Sequence, residues 1–105
     1  MSILFGVMDE ELERLKQVKV LYEERLTKLP KGGLRLRRRG EKTYVYLQYR
    51  DENHVRTRYI GIAGCAKVKA LEKQLLERKT VQGFLRSAKT DLRILARVRR
   101  AKRKG

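Results

Sequence analysis

The chain has 105 residues, and 28 Lys and Arg against 12 Asp and Glu give it a net charge of +16. That length argues for a single domain, 1–105, with a modest core, and that charge calls for a polyanionic partner, nucleic acid ahead of an anionic membrane. One cysteine, Cys65, and one histidine, His54, exclude an intrachain disulfide framework and fall short of a zinc site.

The charge is uneven. Residues 1–30 hold five basic and six acidic side chains, residues 31–62 nine and three, and residues 63–105 fourteen and three. The first segment reads as scaffold and the other two as contact surface. The start "MSILFGVMDEE" meets acid at once and lacks a basic n-region, so no signal peptide is expected. No apolar run reaches the roughly 18 residues of a membrane helix. Unpaired Cys65 fits a reducing compartment, so a cytoplasmic location is expected.

Residues 9–28 read as a helix, because Leu12, Leu15, Val18, Tyr22, Leu26 and Leu29 recur at helical spacing. Asp9, Glu10, Glu11 and Glu13 crowd its start, where the helix dipole favours negative charge. "LPKGG" at Leu29–Gly33 stops it.

Three strands follow at 34–39, 43–50 and 54–61, forming a sheet over 34–61. A turn at Glu41-Lys42 sets Leu36 opposite Leu47 and Arg37 opposite Tyr46. A loop at Asp51-Glu52-Asn53 sets Tyr49 opposite Val55 and Val45 opposite Tyr59. This register puts Leu34, Leu36, Val45, Leu47, Tyr49, Val55, Thr57 and Tyr59 on one buried face. The other face then carries Arg35, Arg37, Arg39, Tyr44, Tyr46, Gln48, Arg50, His54, Arg56 and Arg58. A two-residue second loop would place Arg56 and Arg58 beside Tyr49 and Leu47, and is rejected for that reason.

After "IGIAGCAK" a long helix runs over 66–100, with apolar positions Val68, Leu71, Leu75, Leu76, Val81, Leu85, Ala88, Leu92 and Leu95. Its stripe shifts around "TVQG". An unbroken helix of about 1.5 Å per residue outruns a compact domain of this size, so it bends near Gly83, projects, or packs on another chain. Helix one and the first half of this helix are expected to cover the apolar sheet face. That leaves Val81, Leu85, Leu92 and Leu95 uncovered, a candidate surface for a homodimer or a larger protein partner. The basic tail, 99–105, reads as a frayed charge run.

Catalytic motifs are lacking. His54 and Cys65 sit at opposite ends of the third strand, and Asp51-Glu52 reads as a hairpin loop. "GLRLRRRG" lacks the ending of a Walker loop. No enzyme activity, cofactor or metal is therefore expected. The Arg/Tyr face is the informative feature: arginine forks onto phosphates and guanine edges, and tyrosine offers a stacking plane. The candidate nucleic-acid contacts are the ten residues of that face together with Arg97, Arg99, Arg100, Lys102, Arg103 and Lys104.

"LPKGGLRLRRRGEKTYVYLQYR" followed by "VRTRYIG" resembles a signature of small basic bacterial and archaeal proteins, over Leu29–Gly61. That resemblance implies no particular activity. More distantly, three basic strands and a helix resemble the DNA-binding domains that begin tyrosine-family phage integrases, which lay such a sheet in the major groove. This resemblance implies DNA contact and a link to mobile genetic elements. The helix before the sheet, the overlong helix after it and the lack of a catalytic domain depart from the pattern, so integrase function does not transfer.

The expectation is an α+β fold: helix, three-stranded antiparallel meander, long helix. The expected function is non-catalytic nucleic-acid binding, with duplex DNA ahead of structured RNA. The alternative is a small accessory subunit that docks on a nucleoprotein complex through its helices.

Overall fold

The computed structural model describes residues 3–104, and their side chains over 6–101. The order is α1 (Ile3–Lys28), β1 (Gly33–Arg39), β2 (Lys42–Asp51), β3 (His54–Ile62) and α2 (Ala66–Lys104). The strands form one antiparallel sheet in the order β1-β2-β3. This is the expected α+β architecture.

By their contacts the residues fall into two compact units: α1 with α2 from Thr80 onward, and Leu29–Lys79.

The first unit is a helical hairpin. α1 starts at Ile3, earlier than the expected residue 9, and its first turn holds no acid. Met8 explains the extension. It is buried, and among the described side chains it is the first of a stripe that continues through Leu12, Leu15, Tyr22 and Leu26. Glu11 accepts a hydrogen bond from the Arg14 guanidinium, which holds its carboxyl below the ordinary range.

Opposite lie Val81, Leu85, Ala88, Leu92 and Leu95, of which Val81 and Ala88 are buried and the others half-buried. Tyr22 meets Phe84 at 5.8 Å between ring centroids, and Arg99 Nε donates to Asp9 at 2.8 Å. Partners that descend along α2 as they ascend α1 make the pair antiparallel. Two expectations are thereby corrected. α1 groups with the second half of α2, not with the sheet. And the stripe Val81, Leu85, Leu92, Leu95 is not left bare, because it forms the inner face of this hairpin.

The second unit is the sheet with the start of α2. Pro30 ends α1, and Arg78 Nη1 donates to the Leu29 carbonyl at 3.0 Å, anchoring the connector. Gly32 has φ +117°, and a Cβ there would lie 2.4 Å from the Gln48 carbonyl oxygen, so only glycine fits. The core is Leu29, Val45, Leu47, Val68 and Leu71, with Val45 and Val68 each 1% exposed. Gly61 is buried where α2 begins: a Cβ there would meet Cys65 Sγ at 2.7 Å and Val68 Cγ2 at 3.7 Å. A bare backbone at that point lets the first turn of α2 settle beside Val45, which pairs with Gly61.

α2 is one continuous helix through Gly83, where a bend was one of the three alternatives. It also runs through the tail to Lys104, which was expected to fray. The Asp9–Arg99 pair ties this last stretch to α1, and cations suit a helix C-terminus. The spacing of buried positions changes between Leu75 and Val81, where α2 passes from one unit to the other.

Candidate nucleic-acid interface

Both hairpin registers differ from expectation. The first turn is Gly40-Glu41, with Arg39 paired to Lys42 and Arg37 to Tyr44. Gly40 has φ +62°, which a two-residue hairpin turn requires at its first position. The slip is two residues, so the faces of β1 and β2 stay as predicted.

The second loop is Glu52-Asn53, with Asp51 paired to His54, Tyr49 to Arg56 and Leu47 to Arg58. That is the register rejected on sequence. It moves His54, Arg56 and Arg58 onto the face of Leu47 and Tyr49, and moves Val55, Thr57 and Tyr59 to the opposite face. The physical reason is that the helix does not cover the sheet's margins. Arg56 stays exposed and its Nε donates to Asp51 at 3.0 Å. Arg58 is exposed at the rim of a groove lined by Leu47, Ile60, Lys67 and Leu71, over which its aliphatic stem can lie. On the same face Leu36 is 69% exposed at the β1 edge.

The pairing is reset near the end of β3. Tyr46 pairs with Tyr59 but Val45 with Gly61, so Ile60 is the extra residue of a β-bulge. The bulge brings Gly61 under Val68 while leaving Tyr59 on the outer face.

The outer face thus carries Arg35, Arg37 and Arg39 on β1, Lys42, Tyr44, Tyr46, Gln48 and Arg50 on β2, and Val55, Thr57 and Tyr59 on β3. None of these strand positions holds a carboxylate. Tyr59, 50% exposed, joins a ring cluster, with centroids 5.4 Å from Tyr46 and 6.2 Å from Tyr44. The Arg37 guanidinium lies over the Tyr46 ring at 6.0 Å. Arg35 Nε donates to Gln48 Oε1 at 2.7 Å. Arg35, Arg37, Tyr46 and Thr57 line a shallow hollow.

Seven of the predicted sheet residues therefore share one face: Arg35, Arg37, Arg39, Tyr44, Tyr46, Gln48 and Arg50. His54, Arg56 and Arg58 do not join them. Tyr59, Thr57 and Lys42 were missed. A two-residue loop is the commonest hairpin connection, and Asp51 stood ready to pair with Arg56; weighing both would have found Thr57 and Tyr59. On α2, Arg97 and Arg100 are exposed, but Arg99 is only 21% exposed and is bonded to Asp9. The side chains of Lys102, Arg103 and Lys104 lie outside the described ones. Among the described residues no group of three His, Cys, Asp or Glu could hold a metal ion, and no helix is long and apolar enough to cross a membrane.

Residues 8–70 match the family described as a domain of unknown function, DUF6788. The chain belongs to this family. The DUF6788 match begins at Met8, the first buried residue among the described side chains of α1, takes in the whole sheet, and ends in the opening turns of α2. The Arg/Tyr face thus lies inside the DUF6788 segment, while the basic end of α2 lies outside it. No curated protein and no solved structure matches the chain.

Proposed function

We propose that this protein binds nucleic acid without catalysis, through the outer face of its sheet, and that its preferred form is duplex DNA. One observation carries the reading: five cations, Arg35, Arg37, Arg39, Lys42 and Arg50, share a face with three clustered tyrosines and no carboxylate. A face kept merely in solvent gains nothing from excluding acids, and pays in self-repulsion. Three strands about 4.8 Å apart present side chains across about 10 Å, which suits a major groove about 12 Å wide. Arg97 and Arg100, exposed on α2 in the other unit, are by themselves a second set of candidate phosphate contacts.

The test is a titration of labelled duplex DNA and of structured RNA with the protein, over a range of salt. Binding should weaken by orders of magnitude between about 50 and 200 mM salt, with the duplex bound more tightly. Affinity that is flat with salt, or absent, refutes nucleic-acid binding. Tighter binding to RNA refutes the preference for DNA.

A further inference from the structure

Arg35 and Arg37 are held differently from the other cations of the outer face. Both start on the edge strand β1, yet both lean inward over the central strand β2, one onto Gln48 and the other onto the Tyr46 ring. Arg35 is the better fixed. Its Nε donates to Gln48 Oε1 at 2.7 Å, a diagonal cross-strand contact, since Arg35 itself pairs with Tyr46. That bond uses the one guanidinium nitrogen on the side of the stem. The two terminal nitrogens remain available as a fork, its plane restrained by that bond.

A forked donor pair with fixed orientation suits the O6 and N7 acceptors of guanine in a major groove. Fixing it beforehand removes part of the ordering cost of binding. Gln48 supplies the acceptor that restrains this plane, and its amide nitrogen is a second donor on the same face. Thr57, paired with Gln48 across β3, adds a hydroxyl to the same central row. Arg39, Lys42 and Arg50 have no such anchors, and sit toward the strand ends, where phosphates flank the groove.

The geometry points to Arg35 as a guanine-reading residue, and to Gln48 as the residue that positions it. This rests on the duplex-binding reading above. It divides the face into a reading centre and a phosphate-contacting rim.

The experiment is selection from a library of random duplexes by the full-length protein, followed by sequencing, at fixed salt. The parent protein should enrich sites with a G·C pair at a defined position. Arg35→Lys keeps the charge but not the fork, and should lose that preference by roughly tenfold to a hundredfold while binding the bulk library almost as well. Gln48→Leu should lose it likewise, and Gln48→Glu, which keeps an acceptor for Arg35, should restore it. Circular dichroism should show all three folded. Salt-dependent binding with no enriched G·C position, or one that survives Arg35→Lys, overturns the inference and leaves duplex binding standing. Loss of preference in Gln48→Glu equal to that in Gln48→Leu overturns the role of Gln48. No binding to the library at all overturns both this inference and the function on which it rests.

Discussion

At the scale of single residues, backbone conformation makes demands that side-chain chemistry does not. Glu52 holds φ 56° in the β2–β3 turn, a region where a side chain with a Cβ is strained. Glu52→Gly should therefore raise stability by about 0.5–1 kcal/mol, read as a higher denaturation midpoint, with strain relief exceeding the entropy cost of glycine. Gly32 is the reverse case. Its φ of +117° and the Gln48 carbonyl 2.4 Å from a built Cβ leave no room. Gly32→Ala should lower stability by about 2 kcal/mol or more. A chemical denaturation curve for each variant checks both. Tyr59 belongs to the outer face and not to the core, so Tyr59→Ala should cost only about 1 kcal/mol, from its lost ring contacts, and leave the protein folded. The same change should weaken duplex binding several-fold, seen by fluorescence anisotropy.

At the scale of elements, periodicity made the helices and strands legible. Apolar residues at helical spacing mark α1 and α2, and the alternation of Arg and Tyr with Leu and Val marks β1 and β2. The outer face of β1 and β2 was legible for the same reason. A two-residue error in the turn does not change which way a side chain points. β3 was different. A one-residue change in loop length reverses every side chain on it, and the bulge at Ile60 reverses the pattern again before the strand ends. Alternation alone cannot locate a bulge. The partner of each helix was also hidden. An amphipathic stripe states that something must cover it, but Leu85 and Leu92 are as well suited to a second chain as to α1.

Two predictions belong here. Gly83 lies inside a continuous helix, and a Cβ there meets nothing within 4 Å. Gly83→Ala should stabilise the protein by about 0.5–1 kcal/mol, whereas a hinge that needs glycine would make the change destabilising. Leu85→Asp with Leu92→Asp should disrupt the α1–α2 hairpin, with loss of helical circular dichroism at low temperature. Retention of full helicity by that variant would contradict the packing of this stripe on α1.

At the scale of the whole molecule, the +16 charge is shared by both units but met differently in each. Residues 29–79 hold fourteen basic and five acidic side chains, and the remaining segments fourteen and seven. In the helical hairpin six of the acids lie on α1, and one of them, Asp9, bonds Arg99 of the basic helix. On the sheet, Asp51 pairs with Arg56 on the face away from the tyrosines, and no strand position of the outer face offers a carboxylate. The outer face thus sets five cations beside the aromatic cluster with no carboxylate among them, inside the segment matched by the family, while a second acid-poor basic run closes α2 outside it.

The most direct test is the salt dependence of duplex binding, measured for three proteins by fluorescence anisotropy. Each neutralised phosphate contributes about −0.9 to the slope of log affinity against log salt. For the parent protein, the cations of the outer face and of α2 should give a clearly negative slope. Arg39→Gln with Lys42→Gln and Arg50→Gln should flatten it by about 2 to 3 units and weaken binding at least tenfold, with the fold intact by circular dichroism. Arg100→Gln with Lys102→Gln, Arg103→Gln and Lys104→Gln keeps the Asp9–Arg99 pair and should leave appreciable binding and the same sequence preference. The contradicting result is a folded sheet variant that binds with the parent's affinity and slope, while the helix-end variant no longer binds.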